Sequence, residues 1–150
     1  MKKGFTLIET LVVIAILTVL FGVVLKAFYT QSRTASAERD AQSVLTLLQR
    51  ARNQSLASID NSSFGVRFTA SSSSFFKGTS YSAAATQEIS SMGAGIVLTT
   101  ALTGGVTQLY FNRLSGEPSA TGTITITPSA LGTTSAKVII IRGTGLAEIQ

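Results

Sequence analysis

The side chains that usually carry nucleophilic or acid–base chemistry are sparse in this chain. It holds no histidine and no cysteine, which excludes imidazole catalysis, thiolate chemistry, disulfides and the usual zinc ligands. Serine and threonine are abundant, but no histidine is present to activate one and no G-x-S-x-G elbow occurs. Ser74-Phe75-Phe76-Lys77 has S-x-x-K spacing, yet it lies in a stretch that reads as a strand, and neither S-D-N nor K-T-G accompanies it. Glu88, Glu117 and Glu148 are isolated from one another rather than paired as a glycosidase needs. With no Asp-rich loop for calcium, the expectation is a protein that is not an enzyme and that uses no metal or cofactor.

The residue that does call for a chemical explanation is Glu9. From Phe5 to Leu25 it is the only ionisable side chain, and as a helix this run covers roughly 30 Å, the thickness of bilayer hydrocarbon. A charge in such a helix costs about 2.5–3.5 kcal/mol near the centre and less toward an end. Lys2, Lys3 and Gly4 precede the run, and the two lysines favour a cytoplasmic N-terminus with the bulk of the chain outside, although Lys26 and Arg33 weaken the asymmetry. Two other readings of this segment exist. Ala35-Ser36-Ala37 fits the A-x-A site of a secretory signal peptide, but it lies about ten residues past Leu25, and the apolar run exceeds the usual 7–15. A plain signal anchor with Glu9 incidental is the other.

Taken together, KKGFTLIE and the apolar run TLVVIAILTVLFGVVL resemble the type IV prepilin signature, and every signature position is filled. The resemblance implies a leader of residues 1–4, cut between Gly4 and Phe5 by a membrane prepilin peptidase that also N-methylates Phe5. It further implies that the Glu9 carboxylate pairs with the Phe5 amine of a neighbouring subunit. Inside a bundle of apolar helices each charge would otherwise be desolvated without a partner, so the pair sets the stagger between subunits as a buried polar residue sets coiled-coil register. The alternative is that Glu9 snorkels to the interface from near the helix end.

The elements that must position this segment follow. Beyond Leu25 the pattern turns amphipathic without a proline or glycine pair: Ala37, Ala41, Val44, Leu45, Leu48, Ala51, Leu56 and Ile59, with Ser55 among them, recur mostly at intervals of three and four. One helix of about 5–58 is predicted, with residues 5–25 as a membrane and assembly half and 26–59 as an amphipathic half. Its length of roughly 80 Å exceeds what a domain of this size can bury. Asp60-Asn61-Ser62-Ser63 reads as the stop. Gly22 with Thr18 makes a small-xxx-small pair; it is either a tolerated glycine or the place where the helix unwinds on assembly, as the resemblance suggests, although Lys26 stands where many pilins have a proline.

Residues 60–150 read as a β-rich head. Strands are expected at Phe64–Thr69, Phe75–Tyr81, Ile96–Thr100, Gln108–Asn112, Thr123–Thr127, Lys137–Arg142 and Leu146–Ile149, with loops at Ala70–Ser74, Ser82–Ser91 and Ala101–Thr107 and a turn or bulge at Gly143-Thr144-Gly145. The fold class is therefore α+β, a long helix whose second half packs on an antiparallel sheet. Within the pilins, ARNQSL, FGVRF, LYFNRLSGEPSATGTITIT and KVIIIRGTGLAEI resemble the minor pseudopilin H and FimT-like minor pilins. That resemblance implies a structural subunit of a type II secretion pseudopilus or, alternatively, of a type IV pilus acting in assembly, adhesion or DNA uptake. Its partners would be other pilins and the prepilin peptidase and N-methyltransferase, and it would be a single-pass protein of the bacterial cytoplasmic membrane before assembly. The formal charge of +5 includes Lys2 and Lys3, so charge alone is weak evidence for nucleic acid. Arg113, Lys137 and Arg142 would be the weak DNA contact in the FimT-like case.

Overall fold

The computed structural model describes residues 6–129 and 135–150. Among these residues one α-helix, α1 (Leu7–Leu56), leads into eight strands: β1 (Phe64–Phe68), β2 (Ser72–Lys77), β3 (Thr86–Ser91), β4 (Ile96–Leu102), β5 (Gln108–Phe111), β6 (Gly122–Pro128), β7 (Lys137–Ile141) and β8 (Ala147–Ile149). They form two four-stranded antiparallel sheets of order β3-β2-β1-β5 and β4-β6-β7-β8. The second half of α1 packs against both.

The helix ends at Leu56, sooner than expected, because Ser58, Asp60 and Asn61 all take left-handed backbone (φ 51°, 50° and 55°) and turn the chain into β1. Asp and Asn tolerate that conformation best among residues with side chains. The buried stripe of α1 is Ala37, Ala41, Val44, Leu47, Leu48, Ala51 and Ser55. Leu45 and Leu56 are only partly buried and Ile59, past the helix, is 43% exposed, so those three expected members lie at or beyond the edge of the contact.

The alanines let the sheets approach closely. Phe64, Val66 and Phe68 of β1, Leu109 and Phe111 of β5, Ile124 and Ile126 of β6, and Ile139 and Ile141 of β7 alternate inward to meet them in one core.

Three strand expectations are corrected. β2 begins at Ser72, inside the expected loop, and stops at Lys77 rather than Tyr81, because Gly78 turns the chain at φ 110°. Both faces of β2 are covered: Phe75 stacks on Phe64 at 5.7 Å, while Phe76 meets Tyr81 edge-on at 5.8 Å, so serines rather than an alternating apolar pattern fill the rest of the strand. Thr86–Ser91, also expected as loop, is edge strand β3; TQEISS has little strand character of its own and forms by pairing with β2, with a register shift between Phe75 and Phe76. β4 continues through Leu102, two residues into the third expected loop, along its ladder with β6.

Candidate assembly helix and head contacts

The first turn of α1 is built by Thr6. Its backbone is extended (φ −82°, ψ 153°), and its hydroxyl accepts from the Glu9 N–H at 3.3 Å while its carbonyl accepts from Glu9 N and Thr10 N. Thr6 is therefore the N-cap and Glu9 occupies N3, the spacing of a capping box. The T-x-x-E pattern was present in the sequence and was missed there. A carboxylate at N3 also faces the positive end of the helix dipole, so this location favours Glu9 before any partner is considered. Gly4 and Phe5 lie outside the described residues.

From Leu7 to Tyr29 every residue of the helix is exposed, its large apolar side chains included, Leu7 by 82%. The stretch is long and apolar enough to cross a membrane. Its hydroxyls make no extra demand on lipid: Thr10 donates to the Leu7 carbonyl and Thr18 to that of Ile14, each at 2.8 Å. Gly22 lies within unbroken helix, and beyond its own turn no described atom lies within 4 Å of where a Cβ would sit, so no packing contact among the described residues requires glycine there. Ala37, in the A-x-A sequence, is fully buried in mid-helix against the head; cleavage there would remove part of the core.

Two sets of contacts clamp the helix to the head. Near its middle, Arg33 Nη1 donates to the Ala94 carbonyl, Asp40 accepts from the Gly93 N–H at 2.8 Å, and Lys137 pairs with Glu38. At its C-terminal end, Ser55 Oγ accepts from the Phe64 N–H at 2.8 Å, and its carbonyl accepts from the Leu114 N–H at 3.0 Å. Arg52 Nη2 reaches the Thr144 carbonyl at 3.3 Å. Gly116 and Gly145 meet here: a Cβ on Gly145 would fall 2.1 Å from the Gly116 carbonyl oxygen, and both glycines have positive φ, 66° and 79°. ARNQSL, NRLSGEP and RGTGL, three segments far apart in sequence, thus converge on one end of the head.

The three basic candidates are not gathered into one patch. Lys137 is held at Glu38, whereas Arg113 Nη1 bonds Ser58 Oγ at 3.4 Å; those helix-side partners are twenty residues apart, roughly 30 Å along the axis. Arg142 shares the far end with Arg113 and pairs with Glu148 at 3.2 Å. Ser74 and Lys77 stand three apart on β2 and so face opposite sides, and Lys77 pairs with Asp60 at 3.0 Å. Glu88 bridges to Arg50 at 2.5 Å, tying the edge strand to the helix.

Residues 1–25 match the family model of the prokaryotic N-terminal methylation motif. No curated protein sequence matches the chain. Among solved structures, it is similar to the type IV minor pilin FimU of Pseudomonas aeruginosa PAO1 (18% identity, 77% of this chain and 86% of that one, TM-score 0.57). It is also similar to the minor pseudopilin EpsH from the type 2 secretion system of Vibrio cholerae (19% identity, 77% and 96%, TM-score 0.60). A second structure of EpsH gives 19% identity, 77% and 94% coverage, and a TM-score of 0.59. The chain thus combines a prepilin-type methylation motif with the fold of a minor pilin or pseudopilin head.

Proposed function

We infer that the protein is a minor subunit of a pilin-type filament, made as a membrane-anchored precursor and assembled through its helix. The observation that carries this reading is the continuity of the methylation motif with a helix whose first half is apolar and exposed and whose second half carries a minor-pilin head. In this reading residues 1–4 are a leader removed after Gly4, Phe5 is the methylated first residue, residues 5–25 form the membrane and assembly half, 26–59 the amphipathic half and 60–150 the head. Before assembly the N-terminus is cytoplasmic and the head lies outside the bacterial cytoplasmic membrane. Glu9 neutralises the Phe5 amine of a neighbour when the helices leave lipid for the filament. Transfer between two apolar surroundings gains little hydrophobic energy, so packing and this charge pair decide assembly. Repeating one such heterologous contact generates a helical filament.

A type II secretion pseudopilus is the filament favoured here, supported by likeness over 96% of a minor pseudopilin; the likeness to a type IV minor pilin supports the pilus as the second reading. Mass spectrometry of the membrane-extracted protein is expected to find N-methyl-Phe5 as the first residue, and an intact Met1 or a start at Glu38 refutes the processing. Glu9→Ala is expected to be cleaved normally but to enter filaments at least tenfold less well, and unchanged incorporation refutes the charge pair. Deleting the gene separates the two filaments, through loss of protein secretion in one case and loss of surface pili in the other.

A further inference from the structure

Just below the head the exposed helix changes character. Lys26, Tyr29 and Arg33 follow at spacings of three and four and so share one face of α1. The head overhangs that face, since Arg33 donates to the Ala94 carbonyl and Asp40, two turns on, holds the Gly93 N–H. The Arg33 guanidinium also lies 5.2 Å from the centre of the Tyr29 ring. Among the described residues, 92–95 therefore lie at the end of the head nearest the apolar half, beside Ser129, which donates to the Gly95 carbonyl through N and Oγ at 2.8 and 3.0 Å.

Charge is distributed to suit an anionic surface facing this end. No charged residue occurs between Ile89 and Asn112 or between Pro118 and Ala136, and the head's carboxylates, Asp60, Glu88, Glu117 and Glu148, lie outside both stretches. The nearest helix carboxylates are already engaged, Glu38 by Lys137 and Asp40 by the Gly93 N–H. Lys26 pairs with no carboxylate among the described residues. Phe28, 72% exposed, and Tyr29, 48% exposed, stand at the same level, where aromatic side chains favour a membrane–water interface.

The spacing fits as well. Arg33 is eight residues past Leu25, about 12 Å along the axis, and the headgroup layer takes up roughly 5–7 Å beyond the hydrocarbon. A gap of about 5 Å remains, short enough for lysine and arginine side chains to reach phosphate.

We propose that, before assembly, this end of the head seats on anionic phospholipid headgroups, with Lys26 and the Arg33 guanidinium contacting the lipid phosphate. The proposal rests on the membrane-anchored reading above. Its consequence is a head held in one rotational orientation over the bilayer, with the opposite flank of α1 turned toward incoming subunits.

The chain has no tryptophan, so Ala94→Trp, with Ser129→Trp as a second reporter, reads the depth of this end without background. The full chain is placed in vesicles of phosphatidylcholine alone or mixed with phosphatidylglycerol, with a nitroxide attached to the lipid headgroup as quencher. Quenching is expected in the anionic vesicles and is expected to weaken at high salt. The ratio of seated to lifted heads is expected to fall about fivefold with Lys26→Gln, a change at an exposed position of the helix. Equal quenching in neutral and anionic vesicles, or no effect of Lys26→Gln, overturns the proposal. Loss of quenching on adding millimolar inorganic phosphate in a salt-matched buffer assigns the groups to a soluble anion and also overturns it. Unquenched protein that still floats with the vesicles refutes the seat and leaves the anchor standing; protein that does not float refutes both.

Discussion

Replacing Ser55 with alanine tests the junction between helix and head. Ser55 is fully buried, and its Oγ accepts the N–H of Phe64, itself 1% exposed, at 2.8 Å. Alanine leaves that N–H buried without an acceptor, a loss of about 1–3 kcal/mol. Helix propensity works the other way, because alanine is better than serine in a helix by about 0.5 kcal/mol. The net expectation is a destabilisation of about 0.5–2.5 kcal/mol, a fall in Tm of roughly 2–10 °C for a folded unit of this size. The assay is thermal unfolding of the full chain in detergent, followed by tyrosine fluorescence, since Tyr81 and Tyr110 both lie in the head. Ser43→Ala, on the exposed face of the same helix, is the control for propensity and is expected to hold or raise Tm. If Ser55→Ala behaves like Ser43→Ala, the hydrogen bond does not secure the junction and the reasoning fails.

Gly65→Ala should destabilise more strongly, by about 2 kcal/mol or more, because the new Cβ would lie 2.4 Å from the Leu109 carbonyl oxygen in the β1–β5 ladder. Gly143→Ala, which meets nothing within 4 Å, should change Tm little, and similar losses in both would rule out close approach as the cause. Asp40→Ala should speed hydrogen exchange at the Gly93 amide about tenfold or more, read by mass spectrometry or NMR, while protection in β6 stays unchanged. A double-mutant cycle on Arg50 and Glu88, both nearly half exposed, should give a coupling of about 0.2–1 kcal/mol that shrinks with added salt; a value of several kcal/mol would show that this bridge holds β3 in place.

Much of the chain was legible because its signals are local. A membrane-length run containing one carboxylate needs no tertiary contact to be recognised, and neither does the three-and-four spacing that placed Ala37, Ala41, Val44, Leu48 and Ala51 on the buried face. Strands with period-two alternation, such as Thr123–Thr127 and Lys137–Arg142, were read for the same reason and lie within a residue of Gly122–Pro128 and Lys137–Ile141 in the structure. β2 and β3 were blurred because Ser72–Ser74 and TQEISS lack that alternation: one strand is covered on both faces, and the other exists only as the partner of its neighbour.

What the sequence by itself determined is that the helix has an apolar half of membrane length and an amphipathic half, since hydrophobic length and a lone carboxylate are properties of the chain wherever it folds. Tertiary structure alone decided what the polar residues do. Ser55 looked like a small residue on an apolar stripe and is the acceptor that joins helix to strand, Lys137 and Arg113 looked like neighbours and serve opposite ends of the head, and Arg33 supports the loop at Ala94. A hydrogen bond or ion pair depends on the position of a partner 9 to 99 residues away, and no local pattern encodes that position.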